Sequence, residues 1–387
     1  MEFGWNQEFI DFREEVRAFI EEWRTPELLR ENWAAESGRG PCVKRFHEAL
    51  NQRGWMRMCW PVAYGGEGKS PLYRFILIEE MEYWDMPYGD VTFTSIAPTL
   101  LEYGSEAQKQ KYLPAIWRGD AYFALGYSEP NAGTDLASLR TRAERRDDGW
   151  LINGQKTWTS EAEIATHIWL AARTDPDLPK HKGISIFIVP AEADGVTIRP
   201  LRTLSGTRTN QTFYDDVFVE DGALVGEVNQ GWSIIMNALS LERVGLVPHG
   251  NVARTFDLLL EHLREQRPEL LRDPCVRRSL AELKLDLHRN RALVTKNAWI
   301  ISKGETPWGE ASMVKVWGSE LRYRMANLAM DLLGRSGALT SDSGDRAPAA
   351  GRMEHTYRLS PIFRFGGGAN EIQRDIIATR GLGLPRL

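Results

Sequence analysis

The spacing of apolar residues changes twice along the chain, and this change constrains the fold more than any other feature. Up to about Gly119, apolar residues recur at helical spacing, as in FIDFREEVRAFI and FILIEEMEYW. Between about Asp120 and Asn229 they form short runs rich in β-branched and aromatic residues, such as HIWLAAR and GISIFIVP, separated by turn formers. After Gly231 the helical period returns in long stretches, such as SIIMNALSLERVGLV and VKVWGSELRYRMANLAMDLLG.

This order predicts an α+β protein of three parts. We expect an N-terminal α-helical domain over residues 1–119, a small central β-barrel or β-sandwich domain over residues 120–229, and a C-terminal helical bundle over residues 230–387. The length of 387 residues agrees with this division, because a single hydrophobic core stops growing at about 250 to 300 residues. A fold of this kind serves many functions, so the chemistry has to be sought in particular residues.

The composition is that of an ordinary soluble protein, with 42% hydrophobic and 26% charged residues. No run approaches the roughly 18 apolar residues that would span a bilayer, and the first residues carry acids and aromatics where a secretory signal would need a basic start. We therefore expect no membrane segment and a cytoplasmic protein. The net charge of -5, with Lys and Arg dispersed along the chain, argues against nucleic acid as a partner.

Neither the cysteines nor the histidines indicate a disulfide framework or a metal site. Cys42, Cys59 and Cys275 are widely spaced and lack histidine partners, as is typical of reduced thiols. The helical histidines have no ligand spacing; they are His249, His262 and His288. The motifs HExxH, GxSxG, CxxC and the P-loop are absent from the sequence, so metal-dependent, serine and nucleotide hydrolysis lack their usual signatures.

Two stretches near the start of the β region are suited to a flat, polar ligand. LGYSEPNAGTD, residues 125–135, is a turn whose backbone N–H groups and hydroxyls suit carbonyls or phosphates, with an ordinary loop as the alternative. NGQKTWTSE, residues 153–161, has the pattern of a strand that points Trp158 and Ser160 to the same side, an aromatic ring beside a hydroxyl. A tryptophan packed in the core is the alternative for that stretch.

A third stretch, RFGGGANEIQR at residues 364–374, places three consecutive glycines before a predicted helix. Backbone amides at that helix start suit an anion or a carbonyl oxygen, and a flexible hinge is the competing interpretation. The spacing does not match the GxGxxG fingerprint of dinucleotide-binding proteins.

A lone carboxylate, Glu242, lies in the helical stretch ALSLERVGLVPHG. Its neighbours three and four residues away are apolar or small, so no opposite charge lies on its own helix face. Desolvation among such neighbours would raise the pKa of Glu242 toward the range of a general base. A solvated surface glutamate, or one paired with an arginine through tertiary structure, is the alternative.

Taken together, these stretches resemble the acyl-CoA dehydrogenase family over nearly all of the chain. The resemblance is carried by five segments: YGSEAQKQKYLPAIWRGD at 103–120, YSEPNAGTDLASLRTRA at 127–143, INGQKTWTS at 152–160, GEVNQGWSIIM at 226–236 and NEIQRDIIATRGLGLPR at 370–386. It implies an N-terminal helical domain, a central β domain, a C-terminal four-helix bundle, and FAD bound between the β domain and the bundle. It also implies a role in lipid metabolism and a tetramer built as a dimer of dimers, homomeric or heteromeric.

The resemblance implies a role for individual residues of the β region and of the glutamate helix. The residues expected to meet the flavin ring are Leu125, Tyr127, Ser128, Trp158 and Ser160. The residues expected on the acyl-CoA side are Thr134 and Arg243.

The family's reaction removes a proton from the carbon next to the thioester and moves hydride from the following carbon to flavin N5. The thioester oxygen is held by the flavin ribityl hydroxyl and by a backbone N–H that maps here to about Gly367. Many members carry the catalytic glutamate at that position, where Gly367 has no side chain. A subgroup that includes isovaleryl-type and long-chain enzymes instead carries the base at the first residue of an ER pair, which coincides here with Glu242 and Arg243.

The chain departs from the family pattern where FAD adenosine contacts are expected. Asp331 and Arg335 replace a usual Gln and Gly, and LREQRPELLRDP replaces an Arg-x-x-Phe-Gly segment, where Arg264 or Arg267 is the expected substitute. Two alternatives to a dehydrogenase that reduces electron-transfer flavoprotein therefore stay open: an oxidase or monooxygenase on the same fold, and a flavin-poor partner subunit of a hetero-oligomer.

Overall fold

The computed structural model describes residues 5–33, 40–88, 90–246 and 249–385, and of residues 240–246 only the helical backbone. The chain forms two compact units. One comprises Met1–Arg30, Ser70–Tyr88 and Arg243–Leu387, and the other comprises Glu31–Lys69 and Gly89–Glu242. Segments that are distant in sequence therefore share a core.

The described helices are α1 (Gln7–Trp23), α2 (Pro26–Trp33), α3 (Pro41–Gln52), α4 (Pro71–Tyr83), α5 (Ala97–Tyr103), α6 (Glu106–Arg118), α7 (Gly231–Leu246), α8 (His249–Gln266), α9 (Pro274–Ser302), α10 (Trp308–Leu333), α11 (Arg352–Leu359) and α12 (Asn370–Ile376). The described strands are β1 (Phe123–Gly126), β2 (Arg142–Arg145), β3 (Gly149–Lys156), β4 (His167–Arg173), β5 (Ile184–Pro190), β6 (Val196–Arg202), β7 (Arg208–Glu220) and β8 (Leu224–Val225). Among the described helices, none combines the length and the apolar character needed to cross a bilayer.

The first unit is helical, and amphipathic spacing explains its packing. Helix α1 buries Phe9, Phe12, Val16 and Phe19, which lie on one face because their spacing follows the helical repeat. The longer helices α8, α9 and α10 form a core with residues such as Val252, Phe256, Leu287 and Met325. The helical bundle expected near the C-terminus is therefore present.

One close approach inside the first unit requires a glycine. Gly250, in the first turn of helix α8, lies against the backbone of α4, and a Cβ at Gly250 would lie 2.2 Å from the carbonyl oxygen of Glu79. Because backbone atoms cannot yield as a flexible side chain can, α8 reaches this distance only with glycine at that position.

The second unit contains the sheet. Its strands follow the order β6-β7-β3-β2-β4-β5-β8, and β1 pairs with β4 in parallel. Strand β4 coincides with the predicted run HIWLAAR, and five of its residues in a row are buried because the sheet is covered on both faces there. The predicted central β domain is thus confirmed, as one mixed sheet.

Helix α6 is fixed to this sheet by its N-terminal cap. Ser105 and Gln108 form a capping box, in which each side chain satisfies a backbone amide of the other. The side-chain nitrogen of Gln108, Nε2, also donates to the backbone carbonyl oxygens of Gly222 and Leu224, at 2.9 and 2.8 Å. The cap therefore also ties α6 to the strand β8.

Candidate active site

The turn that follows β1 is held by a buried carboxylate. Glu129 and Ala132 exchange backbone hydrogen bonds of 3.0 and 3.1 Å across the turn. The Glu129 carboxylate accepts hydrogen bonds from the backbone amides of Arg140 and Thr141, at 2.7 and 2.8 Å. The predicted turn is therefore an ordered structure, closed by its own acidic residue.

A fully buried lysine pairs with that carboxylate. The ammonium of Lys156, at the end of β3, donates to Glu129 Oε1 at 2.8 Å and to the carbonyl oxygen of Tyr127 at 3.0 Å. Burial lowers the pKa of Lys156 to about 8, although the carboxylate of Glu129 opposes the shift. Burial alone would raise the pKa of Glu129, but the charge and hydrogen bond of Lys156 bring it below its usual value.

Trp158 is placed by an unusual backbone conformation. Strand β3 ends at Lys156, so the prediction that Trp158 and Ser160 alternate within a strand is wrong. Trp158 instead has a φ of 62°, in the left-handed region that non-glycine residues rarely adopt. Its side chain is 58% exposed, so it is not packed in the core of this chain.

The two predicted ligand-binding stretches are joined to each other. The amide of Thr157 donates to the carbonyl oxygen of Ser128 at 2.9 Å, which links the turn to the segment that carries Trp158. The hydroxyl of Ser160 lies 3.2 Å from that of Thr209, on β7. The structure therefore brings Tyr127, Ser128 and Trp158 into one region of the second unit, near the half-buried Leu125 of β1.

The glycine-rich loop before α12 is held by a second buried lysine. The ammonium of Lys315, on α10, donates to the carbonyl oxygen of Gly368 at 2.6 Å and to Asn370 Oδ1 at 2.8 Å. Gly367 and Gly368 have φ values of 65° and 102°, a backbone conformation that glycine adopts without the strain a side chain would add. The interpretation of this loop as a flexible hinge does not agree with this anchorage.

Lys315 belongs to a buried polar stripe on one face of α10. Ser312, one turn earlier, donates to Gln373 Oε1 at 2.9 Å, and Ser319, one turn later, donates to Asn370 Oδ1 at 3.2 Å. All three side chains are fully buried. Together they fix the start of α12 and the loop before it.

Family models match the chain in three consecutive segments. The N-terminal domain of acyl-CoA dehydrogenases matches residues 6–120, the middle domain matches residues 124–217, and the C-terminal domain matches residues 229–382. The chain belongs to the acyl-CoA dehydrogenase family. Its expected three-part fold and its expected class of enzyme are thereby confirmed.

Similar proteins cover this acyl-CoA dehydrogenase from end to end. The acyl-CoA dehydrogenase FadE26 of Mycobacterium tuberculosis is 37% identical over 389 residues, covering 97% of both chains. A solved structure described as the Tcur3481-Tcur3483 steroid ACAD is 38% identical, with a TM-score of 0.92 and full coverage of both chains. A chain of the ChsE4-ChsE5 complex from Mycobacterium tuberculosis is 36% identical, with a TM-score of 0.90 and the same coverage.

Acyl-CoA dehydrogenases are FAD flavoproteins, and the residues of the second unit fit the flavin ring. Trp158 offers an exposed aromatic face, and Ser128 and Ser160 offer hydroxyls for the polar edge of the ring. A Cβ atom placed on Gly133 would meet no other atom within 4 Å, so the turn leaves open space beside the exposed Thr134. This combination of an aromatic face, hydroxyls and open space suits a flat heteroaromatic group.

Other expected site residues of the dehydrogenase lie in the first unit or at its boundary. Arg264 is exposed in the last turn of α8, Asp331 is exposed near the end of α10, and Arg335 is exposed in the 3-10 turn that follows. Glu242 and Arg243 belong to helix α7, but their side chains lie outside the described residues.

Glu129, Lys156 and Lys315 are not among the site residues predicted from the sequence. A signal was available for the first two, because each is a charged residue in a stretch already selected as a candidate site, YSEPNAGTD or NGQKTWTS. Lys315 gave a weaker signal, a single lysine in the largely apolar run ASMVKVWG. In none of these cases does the local sequence pattern reveal which group the charged side chain pairs with.

Proposed function

We propose that this enzyme converts an acyl-CoA thioester to the trans-2-enoyl-CoA, with Glu242 as the base that removes the α-proton. The observation that carries the proposal is that glycine, Gly367, occupies the position where many relatives place a catalytic glutamate. Gly367 has no side chain, so this position cannot supply the carboxylate. Among the family's two known placements of the base, that leaves the helix α7 and Glu242.

In this mechanism the chain's own residues polarise the thioester and remove a proton. The backbone N–H of Gly367 donates to the thioester oxygen and stabilises the enolate charge as it develops. The carboxylate of Glu242 accepts the α-proton as the general base. When bound, FAD would supply the hydride acceptor at N5, and Trp158, Ser160 and the Leu125–Ser128 turn would hold its ring. Thr134 and Arg243 would contact the acyl-CoA, and Arg264, Asp331 and Arg335 would hold the adenosine end of FAD.

The substrate we propose is a CoA thioester whose acyl group carries a steroid ring system. This is supported by the similarity over the full chain to a protein described as a steroid ACAD. A polycyclic acyl group is bulky and apolar, so its thioester should be preferred over straight-chain thioesters of similar carbon number.

We further propose that the enzyme works with a second, related subunit as a heterotetramer and passes electrons to electron-transfer flavoprotein. Two of the similar structures are named for pairs of proteins, Tcur3481-Tcur3483 and ChsE4-ChsE5. The replacement of the usual adenosine contacts by Asp331 and Arg335 agrees with a flavin site that the partner helps to complete.

The test is an anaerobic titration of the purified protein, alone and co-expressed with a second acyl-CoA dehydrogenase-family subunit from the same organism. The probes are cholyl-CoA and octanoyl-CoA, and the signal is bleaching of the flavin absorbance. We expect cholyl-CoA to bleach the wild-type flavin and Glu242→Gln to keep its flavin but lose bleaching by at least about 1,000-fold in rate. Full bleaching of Glu242→Gln would refute the assignment of the base. Rapid reoxidation by oxygen would favour an oxidase, and a colourless protein with any partner would favour a non-catalytic subunit.

A further inference from the structure

The pair formed by Lys156 and Glu129 requires an explanation beyond stability. Lys156 is 0% exposed and Glu129 is 8% exposed, so both charges have been taken out of water. The desolvation cost of such a pair commonly offsets its attraction, and an apolar pair of similar volume would often stabilise the fold as well. Its value to the protein should therefore lie in what the pair holds in place.

The pair connects both ends of the turn to the end of strand β3. Lys156 holds the carbonyl of Tyr127, where the turn begins, and Glu129 holds the amides of Arg140 and Thr141, which follow the turn. The next residue after Lys156 donates to the carbonyl of Ser128. The carbonyl groups of Tyr127 and Ser128 are thus both held by the end of β3.

Trp158 lies two residues beyond Lys156, next to the junction at which the turn after β1 meets the end of β3. Its left-handed φ of 62° is strained for a tryptophan and persists only because the neighbouring backbone is over-determined. The amides of Thr157 and Thr159 supply that constraint, since they donate to Ser128 and Asn210, each at 2.9 Å. The geometry between the turn and Trp158 therefore depends on the junction that Lys156 and Glu129 secure.

We propose that Lys156 and Glu129 are positioning residues that preform the flavin-facing surface, so that the Tyr127–Ser128 turn and Trp158 are aligned before FAD binds. This rests on the assignment of those residues to the flavin in the proposed function. Without the pair, only a fraction of molecules would present the aligned turn, and the apparent affinity for FAD would fall by that fraction. The loss would appear in the association rate, because the bound state would be unchanged.

The experiment measures FAD binding to flavin-stripped protein by the quenching of flavin fluorescence, on the chain with any subunit that copurifies. The variants are Lys156→Met, Glu129→Gln and the double variant. The double variant leaves no unpaired buried charge, so it should fold even if one of the single variants does not fold. We expect the dissociation constant to rise about 10- to 100-fold, through slower association, while the dissociation rate stays within about threefold.

The matched control is Asp221→Asn, which breaks the ion pair between Arg145 on β2 and Asp221, the residue that follows β7. Both of those side chains are more than half exposed, so the control removes a charge pair without changing the junction. It should leave both rate constants unchanged.

Two outcomes would overturn the inference. If the variants fold, melt at a lower temperature and bind FAD as the wild type does, the pair is merely structural. If FAD dissociates faster while its association rate is unchanged, the pair acts in the bound state alone. Failure of the wild-type protein to bind FAD would refute the proposed function as well, whereas wild-type binding with unaffected variants rejects only the role of the pair.

Discussion

Replacement of Lys315 by methionine tests whether anchoring of the glycine loop positions the Gly367 amide as a hydrogen-bond donor to the thioester oxygen. The substitution keeps the length of the side chain but removes the ammonium that holds the carbonyl of Gly368 and the side chain of Asn370. Asn370 keeps its bonds to Ser319, whereas the loop of three glycines has no side chain of its own to restrain it. The loss should therefore be felt mainly at Gly367 and Gly368.

The size of the effect follows from the geometry. A hydrogen bond of 2.6 Å from an ammonium to a buried carbonyl is charge-assisted, and such bonds contribute about 1.5 to 3 kcal/mol. Complete removal of one oxyanion donor costs about 100- to 1,000-fold in kcat. A displaced but still present Gly367 amide should cost less, so we expect kcat to fall about 10- to 100-fold, or about 1.4 to 2.8 kcal/mol of transition-state stabilisation.

The assay is the anaerobic rate of flavin bleaching by cholyl-CoA, compared with cholyl-CoA deuterated at the α-carbon. Because a weaker donor slows enolisation, the α-deuterium isotope effect should increase in Lys315→Met while substrate affinity stays within about threefold. The control is Ser312→Ala, on the same face of α10, which loses its bond to Gln373 without touching the loop. If both variants lose thermal stability but keep the wild-type rate and isotope effect, the reasoning about Lys315 is wrong.

Three further predictions concern packing, pH and the flavin face. Gly250→Ala should lower the melting temperature strongly, because a Cβ there would lie 2.2 Å from the carbonyl oxygen of Glu79. The control Gly133→Ala, whose Cβ would meet no atom within 4 Å, should melt like the wild type. Equal melting curves for the two variants would contradict the packing argument. Burial lowers the pKa of His167 to about 4, with Lys111 adding to the shift. Since the unfolded chain then binds the proton more tightly, stability should fall as pH drops from about 6.5 to about 4, by at most about 1.4 kcal/mol per unit. His167→Phe, which can still stack on Phe123, should narrow the difference between melting temperatures at about pH 7 and about pH 5, and an unchanged difference would exclude His167 as its source. Trp158→Ala should weaken FAD binding about tenfold without lowering the melting temperature of the flavin-free protein, because the ring is 58% exposed, and unchanged FAD affinity would remove Trp158 from the flavin face.

The periodicity of apolar residues was enough to predict the main elements. The run HIWLAAR is strand β4 residue for residue, and GISIFIVP differs from β5 by one residue, because a strand buried on both faces leaves a continuous apolar signal. The glycine run before NEIQR likewise predicted the start of α12. Such local patterns succeed where the nearest neighbours in sequence decide the conformation.

Periodicity failed at Trp158, where the sequence TWTS continues the alternation of a strand. The strand nevertheless ends at Lys156, because the amide of Thr157 donates to Ser128 in the turn after β1, and the amide of Thr159 reaches Asn210 of β7 outside the register of the strand pair. These partners are about 30 and 50 residues away in the chain, so tertiary contacts override the β preference of the segment.

By itself, the sequence determined the order of helical and strand segments, the family, and the residue types available at the site. Only the tertiary structure decided that Lys156 meets Glu129, that Lys315 meets the loop before α12, and that Trp158 is turned outward. The physical reason is that apolar spacing records which face of an element is buried, whereas a buried charge is satisfied by whichever distant polar group the fold brings within hydrogen-bonding distance.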